Sequence, residues 1–175
     1  MFLMRESHVN RLKIVVCCFL LVGSMQAIAQ QRQKCTGPQL GTWKLDSYVT
    51  EDIASGRKST LLGSHPSGFL SYGPDCRMYA ILVKDGREPP ATFVPTDAER
   101  LDLYSGFIAY AGIYRIEGDK VSHQVDASWN QSWTGTTQVR RFKIDGNHLY
   151  ITTLPTKNAL TGKESSSVLV WTKVE

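Results

Sequence analysis

The stretch SHQVDASWNQSWTGTTQVRR, Ser122 to Arg141, holds two alternating runs around a loop that carries Trp129 and Trp133. Successive side chains of a strand point to opposite faces, so each run sorts its residues into two sets. Before the loop, Val121, His123 and Val125 share one face; Ser122, Gln124 and Asp126 share the other. After it, Gln138, Arg140, Phe142 and Ile144 fall together, against Thr137, Val139, Arg141 and Lys143. The apolar members assign the interior to the first set of each run. His123, Gln138 and Arg140 therefore face inward. In an antiparallel pair closed by the tryptophan loop, His123 lies opposite Gln138, with Arg140 on the diagonal.

Working outward, the same alternation predicts eight strands, over 41–50, 68–72, 77–83, 110–116, 121–125, 136–144, 149–153 and 167–174. Trp43, Leu45, Ser47 and Val49 share one face of the first, against Lys44, Asp46, Tyr48 and Thr50. Tyr110, Gly112, Tyr114 and Ile116 form the interior set of the fourth. Turn chemistry at Gly73-Pro74-Asp75, Glu117-Gly118-Asp119-Lys120 and Asp145-Gly146 joins neighbours tightly. Thr96-Asp97-Ala98-Glu99 is a capping box, and one helix follows to about Phe107, with Tyr104 and Phe107 as its packing stripe.

Every neighbouring pair can run antiparallel, which fits an eight-stranded up-and-down barrel or an open sandwich. Short turns alternate with long loops. In a barrel all the long loops then surround one mouth, with the tryptophan loop and the helix among them. That regularity favours the barrel.

Residues 1–29 read as a secretory signal peptide: Arg5, Arg11 and Lys13 precede the apolar run Ile14–Val22, and Ala27-Ile28-Ala29 offers small residues for cleavage. The run is too short to span a bilayer, so no stable membrane anchor is expected after cleavage. A lipid-anchored alternative through Cys17 or Cys18 is disfavoured by the bulky residues around them. Residues 30–40 form a lead-in, and 41–175 the barrel domain. The chain carries 20 Lys and Arg against 16 Asp and Glu, and loss of 1–29 brings the net charge from +4 to +2. With no basic run, a nucleic-acid partner is excluded. Cys35 and Cys76 remain, and an oxidising compartment pairs them. Cys76 at a tight turn and Cys35 ahead of the first strand both fall at the closed end, so a bridge would fasten the lead-in across the bottom.

Residues 40–174 resemble the bacterial and fungal lipocalin-like domain proteins. The likeness rests on Leu40-Gly41-Thr42-Trp43-Lys44-Leu45, which carries a G-x-W signature, on Pro66-Ser67-Gly68-Phe69-Leu70-Ser71-Tyr72, and on Tyr110-Ala111-Gly112-Ile113-Tyr114. It continues through His123-Gln124-Val125, Trp133-Thr134-Gly135-Thr136-Thr137-Gln138-Val139-Arg140-Arg141-Phe142 and Leu169-Val170-Trp171. The resemblance implies a lipocalin-type barrel with a cavity for a small, largely apolar molecule. It implies no settled activity. Cys76 stands where the family pattern has a turn glycine.

The interior then holds His123, Gln138, Arg140, Tyr114 and Tyr72 among apolar side chains. A buried guanidinium is costly unless something offsets it. It either orients a ligand's polar group from a cavity wall, or packs over Trp43 by a cation–π contact. His123 reads as a ligand contact or as a satisfied core histidine. Trp129 and Trp133 either cover a ligand or, for Trp133, plug the loop.

Catalytic signatures are absent from the sequence: no G-x-S-x-G elbow, no glycine-rich phosphate loop, and His65, His123 and His148 lack metal-ligand spacing. Asp97, Glu99 and Asp102 read as solvated charges at a helix start. No cofactor or metal is expected. Three functions remain. The first is a secreted or periplasmic binder of a small apolar or amphipathic ligand, contacted by Tyr72, Tyr114, His123, Trp129, Trp133, Gln138 and Arg140. The second is a cyclase or isomerase of a polyketide-like or unsaturated substrate, with His123 as acid–base and Arg140 stabilising negative charge. The third is an interaction module with an aromatic rim. The binder is preferred over the enzyme.

Overall fold

The computed structural model describes residues 34–174. The signal peptide, the Cys17 and Cys18 alternative and the start of the lead-in lie outside the described residues. Ten strands form one sheet: β1 (Gly41–Asp52), β2 (Lys58–Ser59), β3 (Ser67–Tyr72), β4 (Arg77–Val83), β5 (Phe107–Glu117), β6 (Lys120–Ser128), β7 (Thr137–Asp145), β8 (His148–Thr153), β9 (Thr156–Lys157) and β10 (Glu164–Lys173). Eight of them follow one another antiparallel in the order β1-β3-β4-β5-β6-β7-β8-β10, and β10 pairs back onto β1 from Trp43–Lys173 to Asp52–Ser165. The sheet is closed, which removes the exposed edges an open sandwich would carry. The two-residue β2 and β9 extend β1 and β10 inside loops that the sequence marks as irregular.

The β6–β7 register pairs His123 with Gln138, as the alternation requires. Arg140 is buried and Arg141 exposed, so β7 turns its even-numbered side inward. The first strand departs from simple alternation. A bulge between Leu45 and Ser47 adds one residue against β10. Trp43 and Leu45 point inward below it, and Tyr48 and Thr50 above it, where Ser47 and Val49 were expected. An extra residue inverts the parity of everything beyond it.

Two glycines permit close strand approach. A Cβ on Gly112 would lie 1.9 Å from Gln124 O, at a second bulge where β5 meets β6. One on Gly68 would lie 2.2 Å from Ile81 O on β4.

The closed end is knitted by the lead-in. Cys35 and Cys76 form a disulfide with Cα atoms 5.1 Å apart, and the Cys35 amide donates to Pro74 O at 2.9 Å. Cys76 has φ 63°, the single positive value at a non-glycine position among the described residues, which accounts for a glycine being expected there. Buried Gln39 accepts from Trp43 Nε1 through its carbonyl (2.8 Å), and its Nε2 donates to Thr36 O (2.8 Å). Tyr114 Oη donates to Gly73 O at 3.0 Å. Lys173, not Arg140, supplies the cation over Trp43, its Nζ 5.3 Å from the ring centre.

At the mouth, α1 (Asp97–Ser105) has the expected capping box: Thr96 Oγ1 accepts from Glu99 N, and Glu99 accepts from Thr96 N at 2.7 Å. It has no packing stripe, which corrects the expectation for Tyr104 and Phe107. No residue of α1 is buried, Leu101 is 69% exposed and Tyr104 48%. The helix ends at Ser105 with Gly106 as its cap, so Phe107 opens β5 instead. So short a helix is closed by caps at both ends, half-buries Leu103, and sets Tyr104 beside Trp129 with ring centroids 6.3 Å apart.

Candidate ligand chamber

Inward positions of β5, β6 and β7 converge above the knitted floor. His123 is 1% exposed and hydrogen-bonded through both ring nitrogens, Nε2 to Tyr72 Oη at 2.8 Å and Nδ1 to Tyr110 Oη at 3.1 Å. Tyr72 is buried and its hydroxyl has no other partner among the described residues. Two hydroxyls and a neutral ring hold three protons for two hydrogen bonds, so one hydroxyl proton is left over. Tyr110 borders the cavity inside the barrel and Tyr72 does not, which assigns Tyr72 as the donor to Nε2. The imidazole proton is then on Nδ1 and goes to Tyr110. Burial first, and then the charge of Arg140, lower the His123 pKa to about 3, so the ring is neutral at physiological pH. Burial pushes both tyrosines above their ordinary value.

Arg140 is 7% exposed. Its Nη1 donates to Val139 O at 3.0 Å and its Nη2 to Gln138 Oε1 at 3.3 Å. The Gln138 amide is aligned for this by Nε2 donating to Thr136 Oγ1 at 2.8 Å. Among the described residues no carboxylate pairs with Arg140. A guanidinium carries five N–H donors, and both acceptors it finds here are neutral.

These groups border a chamber of about 60 Å³ inside the barrel. Its apolar wall includes Leu70, Leu82, Ile108, Ile151, Leu169 and Trp171; Tyr48, Tyr110, His123, Arg140 and Thr153 supply the polar part. Above it lies a vestibule of about 110 Å³, lined by Trp129, Gln138, Lys157 and Leu160 among others. Tyr48, Ile108, Trp133, Arg140 and Thr153 border both spaces.

The tryptophan loop covers this end. Its middle is a 3-10 turn, Gln131–Trp133, begun by Asn130 Oδ1 accepting from Ser132 N at 3.1 Å. Gly135, at φ 81°, turns the chain back, and its amide donates to Val125 O at 2.9 Å. The loop thus presents Trp133 edge-on to Tyr110 (centroids 5.4 Å apart) and to Trp129 (5.0 Å). Trp133 lines the space and plugs it at once.

Of the residues singled out in the sequence, His123, Arg140 and Trp133 border the chamber, and Gln138 and Trp129 the vestibule. Tyr72 stands behind His123 and reaches the chamber through it. Tyr114 lies in the floor, bonded to Gly73, and is not part of the lining. The sequence reasoning missed Tyr48, Tyr110 and Trp171 as lining residues. Alternation places Tyr110 inward without naming it a contact, and that of β10 could have supplied Trp171; the bulge hid Tyr48.

A closed antiparallel barrel with a chamber under a loop-covered mouth defines the class of lipocalin-type barrels. The family described as the lipocalin-like domain matches residues 40–174, and the chain belongs to it. No curated protein and no solved structure matches the chain. Among the described residues no helix is long and apolar enough to cross a membrane.

Proposed function

We propose that the protein binds a small amphipathic molecule within the barrel, in an extracellular or periplasmic compartment. The signal-peptide pattern and the Cys35–Cys76 bridge support that location. The observation that carries the binding proposal is Arg140, a buried cation bordering an apolar chamber with no carboxylate partner among the described residues. Leaving a charge in such a place costs several kcal/mol, on the order seen when buried pairs are broken. A ligand's polar group offsets that cost, with Gln138 orienting the guanidinium, while Ile108, Leu169 and Trp171 receive the apolar body.

Ligand pockets usually enclose ~300 Å³ or more, and the chamber is smaller. Chamber and vestibule together, about 60 and 110 Å³, are still smaller than that, so the ligand takes both and Trp133 moves outward to join them and add its own volume, with Trp129 closing over the top.

A cyclase or isomerase working through His123 is less favoured. Both ring nitrogens are engaged by tyrosine hydroxyls, so neither is free to take a substrate proton. An interaction surface built on the rim tryptophans is also less favoured, because Trp129 and Trp133 pack on each other.

Native mass spectrometry of the mature chain, purified gently, tests the proposal. A noncovalent small-molecule adduct released by denaturation is expected. Mass-clean protein whose tryptophan fluorescence responds to no amphipathic probe would overturn it.

A further inference from the structure

The polar groups around the chamber are almost all donors. Tyr110 Oη accepts from His123 Nδ1, which leaves its own O–H to point elsewhere. Trp171 lines the chamber, is buried, and its Nε1 has no hydrogen-bond partner among the described residues. Trp129 lines the vestibule, and its Nε1 is likewise buried and unpartnered. Arg140 borders both spaces with N–H groups to spare. Of the acceptors nearby, Gln138 Oε1 takes Arg140, Asn158 Oδ1 takes the amides of Leu160 and Thr161, and Thr153 Oγ1 takes Ser167 N; the Tyr48, Thr156 and Ser165 hydroxyls that also line the two spaces each bring a proton of their own. No Asp or Glu lines either space, whereas Lys157 adds a second cation to the vestibule.

Buried donors without acceptors destabilise a protein unless something supplies lone pairs. An indole donor, a tyrosine hydroxyl and a guanidinium without a carboxylate partner around the chamber, with a second indole donor in the vestibule, fit a group that only accepts and carries negative charge. We propose that the bound molecule is an anion: a carboxylate on a short apolar body, its oxygens on Arg140 and completed by Tyr110 and Trp171. This rests on the binding proposed above and narrows it to a ligand class. A hydroxyl or amine would bring protons to a site already full of them. A neutral carbonyl would satisfy some donors and leave the arginine charge unmatched.

Four probes that share one chain separate these cases: octanoate, octanamide, 1-octanol and octylamine, titrated into the mature disulfide-bonded protein by calorimetry at pH 7.5. Octanoate is expected to bind at least tenfold tighter than octanamide or octanol, with octylamine weakest. Arg140→Gln removes the preference for octanoate, whereas Arg141→Gln, on the outer face, leaves it intact and so excludes long-range attraction. Trp171→Phe removes only an N–H donor and weakens octanoate severalfold with little effect on octanol. Circular dichroism checks that each variant is folded, and the four-probe ranking on unmutated protein stands even where a variant is not. Equal affinity for octanoate and octanamide overturns the anion and leaves the binding proposal standing. If none of the four shows saturable binding, both are overturned.

Discussion

Tyr72 Oη lies 2.8 Å from Nε2 of His123, and the hydroxyl donates to a ring that is kept neutral. The pair sits behind the chamber wall and holds Nδ1–H towards Tyr110. One short bond thereby sets the direction of a hydroxyl that faces the chamber.

Acid stability follows from the same ring. In the unfolded chain His123 titrates near its ordinary 6.5, and in the fold at about 3. Between those values the unfolded state binds a proton that the native state refuses. Stability therefore rises with pH through that window and falls as pH drops from 6.5 towards 3. From pH 7 to pH 5 this group alone accounts for a loss of about 2 kcal/mol. Urea melts at both pH values measure it against His123→Gln, in which this component of the loss is expected to vanish.

Opening the disulfide removes a cross-link over 41 residues of sequence separation. The chain-entropy estimate for such a loop is about 4 kcal/mol. Because Cys76 sits at φ 63°, the replacement matters as well. Cys35→Ser with Cys76→Gly should be about 1 kcal/mol more stable than Cys35→Ser with Cys76→Ala, since only glycine occupies that backbone region without strain. Thermal melts of the two double variants decide it.

Gly112→Ala drives a methyl group into Gln124 O at the β5–β6 bulge. The strands must separate, at a cost of about 2–4 kcal/mol. Displacement there also shifts Tyr110 and Tyr114, which flank it on the inward face. A fall in the denaturant midpoint is expected, together with faster amide exchange along β5 and β6.

Trp133→Ala removes the side chain between chamber and vestibule. Probe dissociation should become about tenfold faster or more, since related binding sites differ chiefly in their off-rates. Folding stability should drop by about 1–3 kcal/mol for a half-buried indole. Stopped-flow fluorescence, followed through the remaining tryptophans, measures the rate.

Alternation and turn chemistry in the sequence were enough for the eight barrel strands, their antiparallel order and the end at which the long loops gather. They also paired His123 with Gln138 and turned Arg140 inward on β7, because a strand allows only two facings and the apolar residues choose between them. The pairing of Cys35 with Cys76 was legible because these two cysteines remain after residues 1–29 in a chain read as exported, and the turn pattern placed both at the closed end.

Tertiary structure decided the rest. The bulge at Asp46 turned Tyr48 inward and Ser47 aside; a bulge depends on how two strands meet across the barrel, which one strand's sequence does not record. Only packing in three dimensions set Lys173 over Trp43, freed Arg140 for the chamber, and left the helix without a fully buried residue. The size of the chamber, and a lining that holds Arg140 without Asp or Glu, emerged from the closure of β10 onto β1, where side chains remote in sequence become neighbours.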